Sequence, residues 1–238
     1  MRISFFLAFL TISKAGEIQE NLIKFFPAFA ESNDPRICSG IALNENYFIT
    51  TQICAAQTSR WIYVYVLTAG STKPKLTNLT LNKEFTVGWN NNIVVGKMPT
   101  SSSFPKLEKL KILPLPTVPL QQNVYTLIGF RNPENSETFE ADVIIQDSKI
   151  CKNAKFSANR YYTFNETTEI CAEVFVGDNN LNTLNYGSVI FDKSQKNIIG
   201  ILSIMENNFK KPEKILIVLT RLSAYCSYIK DRSDFKCS

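Results

Sequence analysis

The chain has 238 residues with 26 basic and 21 acidic side chains, a formal net charge of +5, six cysteines and no histidine. The missing imidazole excludes serine–histidine and cysteine–histidine nucleophiles, histidine–carboxylate metal triads and histidine-bound zinc. The weak positive balance, without an aromatic-interleaved basic stripe, leaves no footprint for nucleic acid, and no cofactor or metal is expected.

Arg2 opens a short run from Ile3 to Ile12 that is apolar but for two hydroxyl residues, and Ser13-Lys14-Ala15 offer small residues for cleavage. Residues 1–15 therefore read as a secretory signal. They do not read as a membrane span, which needs about 20 apolar residues. Later apolar runs such as Trp61 to Leu67 and Ile215 to Leu219 are shorter still. The expectation is a secreted, extracellular protein with no membrane partner. Removing Arg2 and Lys14 with the signal leaves 24 basic against 21 acidic residues, a balance of +3.

Strand signals dominate the rest of the chain. "WIYVYVL" from Trp61 alternates Ile62, Val64 and Val66 with Tyr63, Tyr65 and Leu67, the period-2 pattern of a strand with two packable faces. Short runs of the same kind recur as "NIVVGKM", "NVYTLIGF", "ADVIIQD", "GSVIF" and "NIIGILSI", separated by Asn, Ser, Pro, Gly and Lys. Many short strands with turn chemistry between them indicate an all-β barrel or sandwich. The stretch "KLEKLKILPLPTVPLQQ", with Pro114, Pro116 and Pro119, cannot be one regular element and reads as a crossing between two halves. Lys106, Lys109 and Lys111, and again Lys210, Lys211 and Lys214, read as solvated faces. The one convincing helix is terminal, where "TRLSAYCSYIKDR" sets Leu222, Tyr225, Cys226 and Ile229 at helical spacing.

Cys38, Cys54, Cys151, Cys171, Cys226 and Cys237 all lie after the signal, and an even count in a secreted chain implies disulfides. Six thiols allow about fifteen pairings, and spacing alone does not choose among them. Two sequons, Asn78-Leu79-Thr80 and Asn165-Glu166-Thr167, fit the same compartment and suggest glycans at Asn78 and Asn165 on surface loops.

Five segments in order carry a resemblance. "CSGIALNENYFITTQIC", residues 38–54, is similar to the trypsin-like serine protease segment C-G-G-x-L-I, three variable residues, an aromatic, two apolar residues and T-A-A-H-C. "NNIVVGKM" resembles that family's N-D-I-A-L-L-K-L, keeping Asn91, Ile93 and Lys97. "ICA" at 170–172 stands where the family has it ahead of the nucleophile. "IIGILSI" resembles L-V-G-I-V-S-W, and "VLTRLSAYCSYIKD" resembles V-Y-T-R-V-x-x-Y-x-x-W-I. The resemblance implies a double six-stranded antiparallel β-barrel with a C-terminal helix, one domain over 16–238 whose halves join near 112–120. It also implies the bridges Cys38–Cys54 and Cys151–Cys171, which leaves Cys226–Cys237; each closed loop could add roughly 2–4 kcal/mol.

The same alignment changes all three catalytic positions. The histidine falls on Ile53, the aspartate on Asn92, and the serine of G-D-S-G-G on Tyr186 in "LNYGSVI". The mechanism needs a hydroxyl made nucleophilic by an imidazole that a buried carboxylate orients. An amide in the aspartate's place alone costs about 10⁴ in turnover, and loss of the serine or histidine alone about 10⁶. The aspartate that pairs with the new N-terminus after activation falls on Asn185, and no I-V-G-G start precedes Pro27. The oxyanion-loop glycine falls on Leu184, the base of the specificity pocket on Asn180 and its tryptophan wall on Ile204, and the cysteine expected at Asn182 is missing. Ile53, Asn92 and Tyr186 read either as filler in a decayed site or as a new binding surface. The resemblance then implies a non-catalytic homologue, of the kind known in insects as cofactors, decoys or regulators in extracellular immunity and seminal fluid, with an extracellular protein partner. Two other readings stay open: a barrel carrying a small apolar ligand, and residual serine-type hydrolysis, for instance by Ser188 with a nearby lysine.

Overall fold

The computed structural model describes residues 22–27, 38–54, 63–68, 75–78, 92–97, 111–112, 125–130, 137–154, 156, 162–175, 184–192, 197–205 and 214–237. The signal, Asn180, Asn182 and the proline-rich 113–124 lie outside them.

Six strands form a first sheet in the order β5-β4-β1-β2-β3-β6. They are β1 (Leu22–Pro27), β2 (Cys38–Ala42), β3 (Tyr47–Thr50), β4 (Tyr63–Thr68), β5 (Lys75–Asn78) and β6 (Val94–Lys97), each antiparallel to its neighbour. The second sheet holds β7 (Lys111–Ile112), β8 (Tyr125–Phe130), β9 (Thr138–Ile145), β10 (Glu169–Phe175), β11 (Val189–Asp192), β12 (Asn197–Met205) and β13 (Lys214–Arg221). Its order is β11-β8-β9-β10-β13-β12-β7, and pairing of β11 with β12 closes six of these strands into a barrel. β7 departs from the antiparallel rule. It lies parallel to β12, with Lys111 opposite Asn197 and Ile112 opposite Ile198.

Side-chain alternation explains the faces. In β9, Phe139 and Val143 are buried while Glu140, Asp142 and Ile144 are exposed, the period-2 outcome of a pleated strand with one wet face. β12 and β13 are buried along almost their whole length, as strands covered on both sides must be. The closed barrel is filled by Leu127, Phe139, Val143, Ala172, Val174, Leu202 and Ile217. A second core joins the two sheets, with Leu22, Ile41 and Ile49 packed among Ile128, Phe130, Val189, Phe191 and Ile201.

The terminal helix is shorter than its periodicity suggests. β13 runs on to Arg221, a 3₁₀ turn covers Leu222–Tyr225, and only Cys226–Arg232 is α-helical (α2). Leu222 and Ile229 anchor it in the shared core. A helix that the sequence reading missed, α1 (Ser148–Asn153), is capped by Asp147, whose Oδ1 accepts the Lys149 N–H at 2.8 Å. Disulfides join Cys38 to Cys54, Cys151 on α1 to Cys171 on β10, and Cys226 on α2 to Cys237.

Candidate active-site region

Four stretches converge where the sheets meet: the turn 51–54 after β3, residues 92–93 before β6, the loop 184–188 before β11, and the middle of β12 with its partner on β13. Asn92 stands at their centre and is 2 % exposed. Its Oδ1 accepts the Ile53 N–H at 3.2 Å, its Nδ2 donates to the Ser203 carbonyl at 3.4 Å, and its own carbonyl accepts the Thr220 hydroxyl at 3.2 Å. An amide suits this place because one end must accept and the other donate. A carboxylate would set a second oxygen against the Ser203 carbonyl.

Ser203 owes its position to a bulge. The β12–β13 register runs Leu202 to Leu219 and then Ile204 to Val218, so Ser203 is the extra residue on β12. Its hydroxyl accepts the Thr220 N–H at 3.1 Å, contacts the Ile201 carbonyl at 3.2 Å and pairs with the Thr220 hydroxyl. With the Thr220 proton directed at Asn92, both hydroxyls are committed inside this network. The sequence reading did not single out Ser203 or Thr220, although the serine of "IIGILSI" and the threonine of "VLTRL" sit in the very segments that carry the resemblance.

The loop 184–188 is tied to both sheets. The Tyr186 carbonyl accepts the Ser39 N–H at 2.8 Å, the Gly187 N–H donates to Leu202, and the Ser188 carbonyl accepts the Leu202 N–H. Gly187 has φ +80°, and a Cβ there would lie 1.8 Å from the Ser39 carbonyl oxygen, so only glycine lets the loop seat on β2. Cys54 Sγ lies 3.5 Å from the Tyr186 carbonyl, which brings the 53 and 186 positions side by side. Ile53 and Tyr186 are half-buried. Asn185 turns its amide to the Phe130 carbonyl, and its own carbonyl accepts the Ser188 hydroxyl at 2.7 Å. Ser188 is fully buried, with its hydroxyl proton held in that bond. Leu184 packs into the closed barrel's core.

Ile204 stands where the resemblance puts the tryptophan wall of the specificity pocket. It is 1 % exposed in an apolar cluster with Phe156, Phe164, Leu216, Val218 and the Cys151–Cys171 bridge. Beside this cluster lies a polar group the sequence did not announce. Glu169, 3 % exposed at the start of β10, accepts the Tyr162 hydroxyl at 2.7 Å and the Asn165 N–H at 2.8 Å through one carboxylate oxygen. Burial pushes its carboxyl above the usual range, against the lowering effect of those two bonds. Burial and the neighbouring Glu169 likewise raise the Tyr162 phenol. The half-buried Arg221 guanidinium donates to the Glu169 carbonyl at 3.4 Å and is lowered by burial. Among the described residues no group of three or more cysteine, aspartate and glutamate side chains is arranged to hold a metal ion.

The sequence pattern of the family described as Trypsin matches residues 19–229. The chain belongs to the trypsin family. Solved structures repeat the trypsin-like fold at low identity. The scabies mite inactivated protease paralogue S-D1 is 16% identical with a TM-score of 0.65, over 93% of this chain and 95% of that one. The scabies mite inactivated protease paralogue S-I1 is 15% identical with a TM-score of 0.63, over 91% of this chain and 96% of that one. Kallikrein-related peptidase 10 is 13% identical with a TM-score of 0.61, over 90% of this chain and 95% of that one. No curated protein matches the sequence. In this trypsin-family chain, then, residues 53, 92 and 186 meet at the junction of the two sheets as isoleucine, asparagine and tyrosine.

Proposed function

We propose that the protein is a secreted, non-catalytic serine protease homologue that works by binding an extracellular protein, as a cofactor, decoy or regulator of the kind known in insect immunity or reproduction. The observation that carries this reading is Asn92. The residue standing where a triad needs a carboxylate is a buried amide bonded at both ends to backbone, beside an isoleucine that has no proton to exchange. Acyl transfer by this fold moves a proton from a hydroxyl to an imidazole held by that carboxylate. None of the three groups stands at positions 53, 92 and 186. Two solved structures of similar fold are scabies mite inactivated protease paralogues, which is consistent with a scaffold kept for other work. Side chains occupy the interior of the closed barrel, and this favours binding at the surface over carriage of an apolar ligand inside. The six bridged cysteines and the N-terminal signal pattern support an extracellular setting.

The test uses a fluorophosphonate probe on the purified protein, with an active trypsin as positive control. The expected result is no labelling, and stoichiometric labelling would overturn the reading. Crosslinking in the native secretion should then join the chain to a discrete protein. A chain that stays monomeric and uncrosslinked there would argue against a binding role.

A further inference from the structure

The proposed binding role uses neither sequon, and the structure separates them. Asn78 ends β5 and is registered opposite Tyr63 in the ladder. Asn165 sits in a turn whose backbone is fastened on both sides. Its N–H donates to the buried Glu169 carboxylate at 2.8 Å, and its carbonyl accepts the N–H groups of Thr168 at 3.2 Å and Glu169 at 2.8 Å. The middle residue of the sequon is held from the side. The Glu166 carboxylate receives Lys152 Nζ at 2.7 Å and the Ser148 hydroxyl at 3.0 Å, both from α1, which Cys151–Cys171 bridges to β10.

Within this turn the Asn165 amide is engaged through its oxygen. Its Oδ1 accepts the Thr167 N–H at 3.1 Å and the Thr167 hydroxyl at 2.7 Å, while Nδ2 takes no acceptor among the described residues. Asn165, Glu166 and Thr167 are all exposed. We propose that Asn165 is an N-glycosylation acceptor, displayed on a turn clamped by Glu169 from within and by α1 from the side. The donor class is an oligosaccharide carried on a lipid diphosphate. Nδ2 of Asn165 bonds to the anomeric carbon, the bond from that carbon to the diphosphate oxygen breaks, and the diphosphate leaves with the electron pair. One Nδ2 proton passes to a base of the transferring enzyme. The attached sugar displaces no hydrogen bond of the turn, because Nδ2 makes none there.

The experiment expresses the full chain in a eukaryotic secretory host and treats the recovered protein with peptide-N-glycosidase in ¹⁸O-water before peptide mapping. The Asn165 peptide should carry the ¹⁸O-aspartate label. That glycopeptide should vanish in Asn165→Gln and Thr167→Ala, and persist in Thr167→Ser. An unlabelled Asn165 peptide in the parent protein, from medium or microsomes, would overturn the proposal, whatever Asn78 carries. A labelled Asn165 in a chain that also reacts with fluorophosphonate would refute the non-catalytic reading and leave the glycan standing.

Discussion

Returning the family's carboxylate to position 92 should damage the fold. In Asn92→Asp the bond from Nδ2 to the Ser203 carbonyl, 3.4 Å long, is replaced by two oxygens facing each other, while the Ile53 N–H at 3.2 Å is kept. The lost bond alone is worth about 0.5–1.5 kcal/mol net. Burying a charge so poorly matched would cost about 3–5 kcal/mol. Protonation limits that cost, because neutralising an aspartate of unfolded pKa about 3.9 at pH 7 takes about 4 kcal/mol, and the neutral acid can again donate to Ser203. The expected loss at pH 7 is therefore about 3 kcal/mol, a melting temperature lower by roughly 6–12 °C for a chain of this size. These terms also set the sign of the pH dependence. The introduced carboxyl would have a folded pKa above its unfolded one, so the folded state holds the proton more tightly and stability falls as pH rises through that window. The deficit against the parent should be largest near pH 7 and shrink toward about pH 4, whereas Asn92→Ala should show a deficit that does not vary with pH. Urea unfolding across this range measures both variants. An Asn92→Asp protein as stable as its parent at pH 7 would refute the claim that the amide is required at this place.

Three further outcomes can be checked. Gly187→Ala should lose roughly 3 kcal/mol or more in chemical denaturation, since its φ of +80° and the 1.8 Å approach to Ser39 each oppose a side chain; a loss under about 1 kcal/mol would mean the loop can lift from β2. Glu169 has its folded pKa raised by burial, so the parent should lose stability as pH rises above about 4.3, and Glu169→Gln should gain on it by at most about 1.4 kcal/mol per pH unit. Parallel pH profiles for the two proteins would remove Glu169 as the cause. The triple variant Ile53→His, Asn92→Asp, Tyr186→Ser should cleave no peptide, because Leu184 and Asn185 still shape the loop; measured cleavage would show that the loop account is wrong.

Short alternating or bounded apolar runs were enough to mark β4, β6, β8, β9, β11 and β12. β13 was legible only as an apolar run, Ile215 to Leu219, since a strand buried on both sides has no alternation to read. α1 escaped because six residues are too few for helical periodicity, and its one local mark is the Asp147 cap. The site divides in the same way. An asparagine where the resemblance expects an acid was visible, but not that its amide would be taken at both ends. The partners belong to other parts of the chain, Ser203 lies 111 residues further on, and a bulge sets its orientation. The buried Glu169 gave no signal at all, being a single acid beside a sequon.

The parallel pairing of β7 has a consequence for dissecting the molecule. Lys111 and Ile112 precede the proline-rich stretch in sequence, yet they extend the edge of β12 beyond the point where β13 ends opposite Gly200. A cut made at Pro114 would therefore strip the C-terminal fragment of its seventh strand and leave an apolar edge open to self-association. Autonomous fragments, if they are to be made, should be divided upstream of Lys111. Even then the N-terminal piece would expose Leu22, Ile41 and Ile49, the share of the common core that its counterpart now covers.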